Sequence, residues 1–203
     1  MKNQIKNTKK GILMVTLMVA SLSFANAKTS FDNTVVDAER TSVTFANVKE
    51  GDLLSIKDEN GIVLYKESIQ HAGIYTKGFD LTSLPDGKYL FELDKDVEIT
   101  VIPFKVSTNK VEFDKDLEKT IFKPTTRVEG NFVFVSKLSL SEAPLKIKVY
   151  YGSDFNNYDL IHSETIENTK LIERVYKLDG LNNGTFKIVY QTEGRQFTEI
   201  IKN

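Results

Sequence analysis

The chain has no cysteine, no tryptophan, two histidines and four prolines among 203 residues. Without cysteine it has no disulfide staples, no zinc–thiolate centre and no thiol nucleophile, so apolar burial must supply its stability. His71 and His162 are far apart and show no His-x-x-x-His spacing, so no zinc site is readable. There is no Gly-x-Ser-x-Gly elbow and no Gly-x-Gly-x-x-Gly or phosphate loop. Ser and Asp are abundant, but nothing sets a nucleophile beside a base. These absences point to a chain that is not an enzyme. Past residue 27 no stretch of ten or more residues carries a 3.6-residue apolar period, which excludes a helical fold.

What is present begins with a leader. Lys2, Lys6, Lys9 and Lys10 precede a nearly all-apolar Gly11–Ala20, and Ala25-Asn26-Ala27 has the small-x-small form of a signal-peptidase site. The apolar stretch falls short of the roughly 20 residues needed to span a bilayer. Residues 1–27 therefore read as a secretory signal, with the exported chain starting at Lys28. No Cys follows, so lipid attachment there is excluded. Losing four lysines and no acids takes the net charge from −1 to −5 over 176 residues. That balance gives no reason to expect nucleic acid or an anionic membrane as partner, and contact with a membrane is confined to the transient signal.

One stretch occurs twice. Phe79-Asp80-Leu81-Thr82-Ser83-Leu84-Pro85-Asp86-Gly87-Lys88-Tyr89 returns 97 residues later as Tyr176-Lys177-Leu178-Asp179-Gly180-Leu181-Asn182-Asn183-Gly184-Thr185-Phe186. Both copies read aromatic-x-Leu-x-x-Leu-x-x-Gly-x-aromatic. The pattern predicts a strand end, a tight turn and a new strand, with the Gly free to take positive φ. Beyond each Gly, Tyr89/Phe91/Leu93 and Phe186/Ile188/Tyr190 alternate, which puts each trio on one strand face.

Short strands are also predicted at 41–48, 52–57, 62–67, 73–81, 88–93, 98–102 and 104–106, with Thr34-Val35-Val36 as an edge. Asp58-Glu59-Asn60-Gly61 is a hairpin turn. In the second half, strands are predicted at 131–138, 145–149, 158–165, 171–178 and 197–201, in the same order. The fold class is all-β: two tandem immunoglobulin-like antiparallel β-sandwiches, residues 28–107 and 108–203. Residues 107–110 are the expected linker.

Each half resembles the immunoglobulin-like and fibronectin-III-like modules of secreted Bacteroidota proteins. The last stretch resembles type IX secretion C-terminal sorting domains through Leu181, Gly184, Phe186, Gly194, Ile200, Ile201 and Lys202. The resemblance implies an exported binding or structural module. It carries as its alternative a secretion adaptor whose C-terminal domain is an address.

Two sets of residues are candidates for a site. Tyr150 and Tyr151 are adjacent on a strand, so one of them faces outward. The loop after them gives the candidate ligand set Tyr151, Asp154, Phe155, Asn156, Asn157 and Tyr158, suited to a protein or glycan at the cell surface. The runs Asp94-Lys95-Asp96-Val97-Glu98 and Asp114-Lys115-Asp116-Leu117-Glu118 read as solvated turns. Their alternative is a calcium site between the domains. No other cofactor is expected.

Overall fold

The computed structural model of the chain describes residues 36–152, 157–178 and 184–202. The predicted leader lies outside them, as does most of the second copy of the repeated turn. Among the described residues no helix is long and apolar enough to cross a membrane.

The first half consists of β1 (Val36–Asp37), β2 (Thr41–Val48), β3 (Leu53–Asp58), β4 (Val63–Ser68), β5 (Gly73–Phe79), β6 (Gly87–Asp94), β7 (Glu98–Ser107), β8 (Lys110–Phe113) and β9 (Lys119–Phe122). The second half consists of β10 (Thr125–Glu129), β11 (Phe132–Leu138), β12 (Leu145–Gly152), β13 (Asp159–Ile166), β14 (Leu171–Lys177), β15 (Thr185–Thr192) and β16 (Arg195–Ile201). Every strand pairing is antiparallel.

The two halves share one plan. In the first, β2 pairs β5, opposite a sheet that runs β4-β3-β6-β7 and continues to β8 and β1. In the second, β11 pairs β14, opposite a sheet that runs β13-β12-β15-β16. Each half thus has six strands in equivalent places, with β10 added beside β11. This is the immunoglobulin-like sandwich expected from the sequence. The predicted inward trios are buried: Tyr89, Phe91 and Leu93 in one core, Phe186, Ile188 and Tyr190 in the other. Their strands β6 and β15 each have a strand on both sides, which is where an apolar stripe loses most water-exposed area.

The repeated corner needs its aromatic and its Gly for other reasons than positive φ. Tyr89 sits at the start of β6 and donates its hydroxyl to the carbonyl of Pro85 at 2.8 Å. This is the tyrosine corner of sandwich folds, which pins the crossover between sheets. Phe186 replaces Tyr89 in the second copy and lacks that donor. Neither Gly87 nor Gly184 takes a positive φ. At Gly184 the requirement is close approach: a Cβ there would lie 2.7 Å from both the Gly152 carbonyl oxygen and the Tyr151 ring.

Three other expectations are corrected. Residues 107–110 are not a linker but a hairpin turn between β7 and β8, with Thr108 and Asn109 both at positive φ. The division at residue 107 therefore falls inside a hairpin, and β8 and β9 extend the first sheet to Phe122. Second, residues 98–102 and 104–106 form one strand despite Pro103. One edge of β7 is shared by β9 (at 98–101) and β8 (at 104–107), so Pro103 falls in the gap, where no ladder N–H is needed. Third, β10 was not predicted. Its Thr126 hydroxyl meets the buried Tyr190 hydroxyl at 2.7 Å, satisfying a polar atom that the aromatic stripe brings into the core. Burial pushes the Tyr190 phenol up to about 12.

The halves meet on the outer face of the first sheet. Ile99, Val101 and Ile121 form a small apolar patch there, and Phe197 of β16 packs against it as well as against its own core. Beside the patch, Glu92 is almost wholly buried and is held by Lys57 and Arg195, each at 2.5 Å.

Candidate interaction surface

Of the predicted ligand loop, Asp154, Phe155 and Asn156 lie outside the described residues. Tyr151 turns toward the second core, its ring 5.0 Å from that of Phe186. The outward member of the pair is Tyr150. The Lys187 ammonium lies 4.9 Å from its ring centroid and 4.3 Å from that of Tyr158. Asn157 stands beside Tyr158 at the start of the return strand. The described part of the loop thus presents two tyrosine rings already engaged by one cation.

The first acidic run is held by lysines. Asp94 pairs with Lys123 at 2.5 Å, Asp96 with Lys49 at 3.2 Å and Glu98 with Lys95 at 3.0 Å. Asp114 caps a one-turn 3-10 helix, Lys115–Leu117, through the Leu117 N–H. Among the described residues no group of three His, Cys, Asp or Glu side chains is gathered to hold a metal ion. Millimolar calcium should therefore leave the melting temperature unchanged. A rise on titration with CaCl2, reversed by chelator, would show that the runs form a site.

A third place, missed from the sequence, repeats in both halves. It lies along the open side of each sandwich, where the edge strand of one sheet (β4 or β13) faces the edge strand of the other (β5 or β14). In the first half Glu67 of β4 accepts hydrogen bonds from Tyr65, Tyr75 and Lys77, and the Lys77 ammonium also donates to the Tyr65 hydroxyl at 2.6 Å. In the second half Glu164 of β13 accepts from Tyr176 and from Arg174 Nε at 3.0 Å, with His162 Nε2 at 3.6 Å. At the 97-residue offset Tyr65 matches His162, Glu67 matches Glu164 and Lys77 matches Arg174.

Each cluster ties a carboxylate on one sheet to a cation on the other. Burial pushes the Glu164 carboxyl up, and the hydrogen bonds from Tyr176 and Arg174 together outweigh it, so it is held below the usual range. Burial and the hydrogen bond to Glu164 push the Tyr176 phenol up. Hydrogen bonds to Glu67 and Tyr65 raise the Lys77 ammonium. In each cluster neutral phenol donors and one cation together satisfy the carboxylate, which is the chemistry of a clasp. His162 is half-exposed and lies at an open edge, while His71 is exposed in the loop before β5.

Around each clasp lie large apolar side chains facing solvent. Val63, Leu64 and Ile74 are 49, 47 and 79% exposed; Leu160, Ile161 and Leu171 are 53, 54 and 58% exposed. These are the same three places at the 97-residue offset. The strand register slips at the same point as well, leaving Leu64 without an opposite residue on β3 and Ile161 without one on β12. Bulges of this kind re-aim a side chain and interrupt an edge ladder. The available signal was the offset itself, applied to the strands before the motif instead of only to the motif.

No family model matches the chain, and no curated protein matches it either. Among solved structures the chain is similar to a "Biofilm associated protein - BSP domain", at 10% identity and a TM-score of 0.24. That likeness covers 84% of this chain and 29% of the other, so the chain spans under a third of that structure's length.

Proposed function

We propose that this is an exported, non-catalytic protein of two immunoglobulin-like modules, acting as a binding or structural module at the cell envelope or outside the cell. Its partner is a protein or glycan at the cell surface. Supporting the export are the lysine-flanked apolar leader and the Ala25-Asn26-Ala27 site. What carries the binding role is the duplicated open edge. Single exposed apolar residues are ordinary, but the pair Val63-Leu64 recurs as Leu160-Ile161, exposed at the same bulge of an open edge in each half, and an apolar feature repeated this way supports a contact site.

The alternative makes the second module a type IX-like sorting address. The shared six-strand plan favours a module over an address, because the first copy has the same corner in mid-chain. The test uses purified, labelled chain applied to cells of its native host. Leu64→Lys together with Ile161→Lys should lower cell-associated label by about thirtyfold, the loss expected when two apolar anchors worth ~1 kcal/mol each are removed. Label that stays bound at the wild-type level would refute the edge as the binding surface.

A further inference from the structure

Resting on that reading, we infer that the partner of the duplicated edge is a second copy of this chain, with the Val63-Leu64 edge of β4 in one copy seated on the Leu160-Ile161 edge of β13 in the other. Two equivalent patches on one chain call for an occupant that itself offers two, and another copy does so. Charge selects between the possible pairings. The exposed formal charge on β4 is Lys66, next to Val63 and Leu64; on β13 it is Asp159, next to Leu160 and Ile161. Neither has an ion pair among the described residues. Unlike patches therefore bring opposite charges together, whereas like patches bring Lys66 to Lys66 or Asp159 to Asp159.

The bulges at Leu64 and Ile161 oppose simple extension of the sheets, so the contact runs through side chains rather than a continuous ladder. An antiparallel alignment that sets Leu64 against Ile161 also sets Tyr65 against Leu160 and Lys66 against Asp159. The two clasps lie beneath and keep both edges rigid. Made twice between two chains, the contact closes as a two-fold pair; made head to tail, it is heterologous and closes as a ring or runs on as a fibre, and every product exceeds the monomer mass.

Sedimentation velocity on the full-length expressed chain, recovered after export, tests this from about 1 µM to about 1 mM, a range that covers weak surface contacts. The wild-type chain should shift from monomer to larger species, more so at low salt. Leu64→Lys or Ile161→Lys should hold it monomeric. Lys66→Glu should weaken association at least tenfold, and adding Asp159→Lys should restore it. All four positions are exposed, and unchanged far-UV circular dichroism separates lost association from lost fold. A wild-type chain that stays monomeric throughout, or a double charge reversal no better than its singles, overturns the inference. If the chain stays monomeric while the apolar variants still lose cell binding, a different partner occupies the edge and the functional reading stands.

Discussion

Gly184→Ala lowers the melting temperature of the chain by about 5–10 °C, while Gly87→Ala at the equivalent corner leaves it within about 2 °C of wild type. The two glycines occupy the same place in the repeat but have different neighbours. At Gly184 a methyl group would lie 2.7 Å from the Gly152 carbonyl oxygen and 2.7 Å from the Tyr151 ring. The carbonyl cannot give way, because Gly152 is the last residue of β12 paired with β15. The ring cannot either, since it rests on the buried Phe186. Overpacking of this kind typically costs about 1–3 kcal/mol, and a contact with backbone belongs at the upper end. At Gly87 the nearest atom is the Tyr89 hydroxyl at 3.4 Å, an ordinary contact. Calorimetry on both variants decides the matter. A Gly184→Ala chain that melts with the wild type would mean that the corner is free to open and that the Gly has no packing role.

The same corner shows which features sequence carries and which it does not. Period-two alternation placed Tyr89/Phe91/Leu93 and Phe186/Ile188/Tyr190 on core faces because strand geometry leaves a side chain only two sides. Turn chemistry placed the β3–β4 hairpin, where Asp58 Oδ1 accepts the Asn60 and Ile62 N–H groups and Gly61 takes φ +82°. The reason for the second Gly was not readable, since it depends on Tyr151 and Gly152, more than thirty positions upstream. Pro103 misled for a related reason: its tolerance depends on where two other strands happen to stop. Turn residues at 107–110 look the same in a linker and in a tight hairpin. Asp94 and Asp96 suggested a cation because their lysine partners Lys123 and Lys49 come from elsewhere in the chain. The apolar edge was hidden differently. Val63-Leu64 and Leu160-Ile161 look like core residues in sequence, and only the bulge and the edge position turn them outward.

Arg195→Ala should uncouple the two modules and move the onset of acid unfolding to higher pH. Arg195 and Lys57 both reach Glu92, whose side chain is 5% exposed, against 25% for Arg195 and 22% for Lys57. Stranding a buried charge costs about 3–5 kcal/mol, and with Lys57 still in place roughly half of that is expected. Burial pushes the Glu92 carboxyl up, but the hydrogen bonds from Arg195 and Lys57 outweigh it and hold it below the ordinary range. The folded pKa is therefore depressed. Its stabilising contribution is complete above the unfolded glutamate pKa of about 4.3 and is lost as the pH falls through the lower, folded value. Removing Arg195 removes the strongest influence holding that value down, so the loss starts earlier on acidification. Calorimetric scans from neutral to acid pH should give one coupled transition for wild type and two separated ones for the variant. Arg127→Ala serves as the control, because the Arg127–Glu129 pair is well exposed and contributes little. A variant that tracks wild type at every pH would mean that Phe197 and the apolar patch hold the modules together without the ionic lock. The orientation of the two docking edges, and with it any pairing between copies, would then depend on that patch alone.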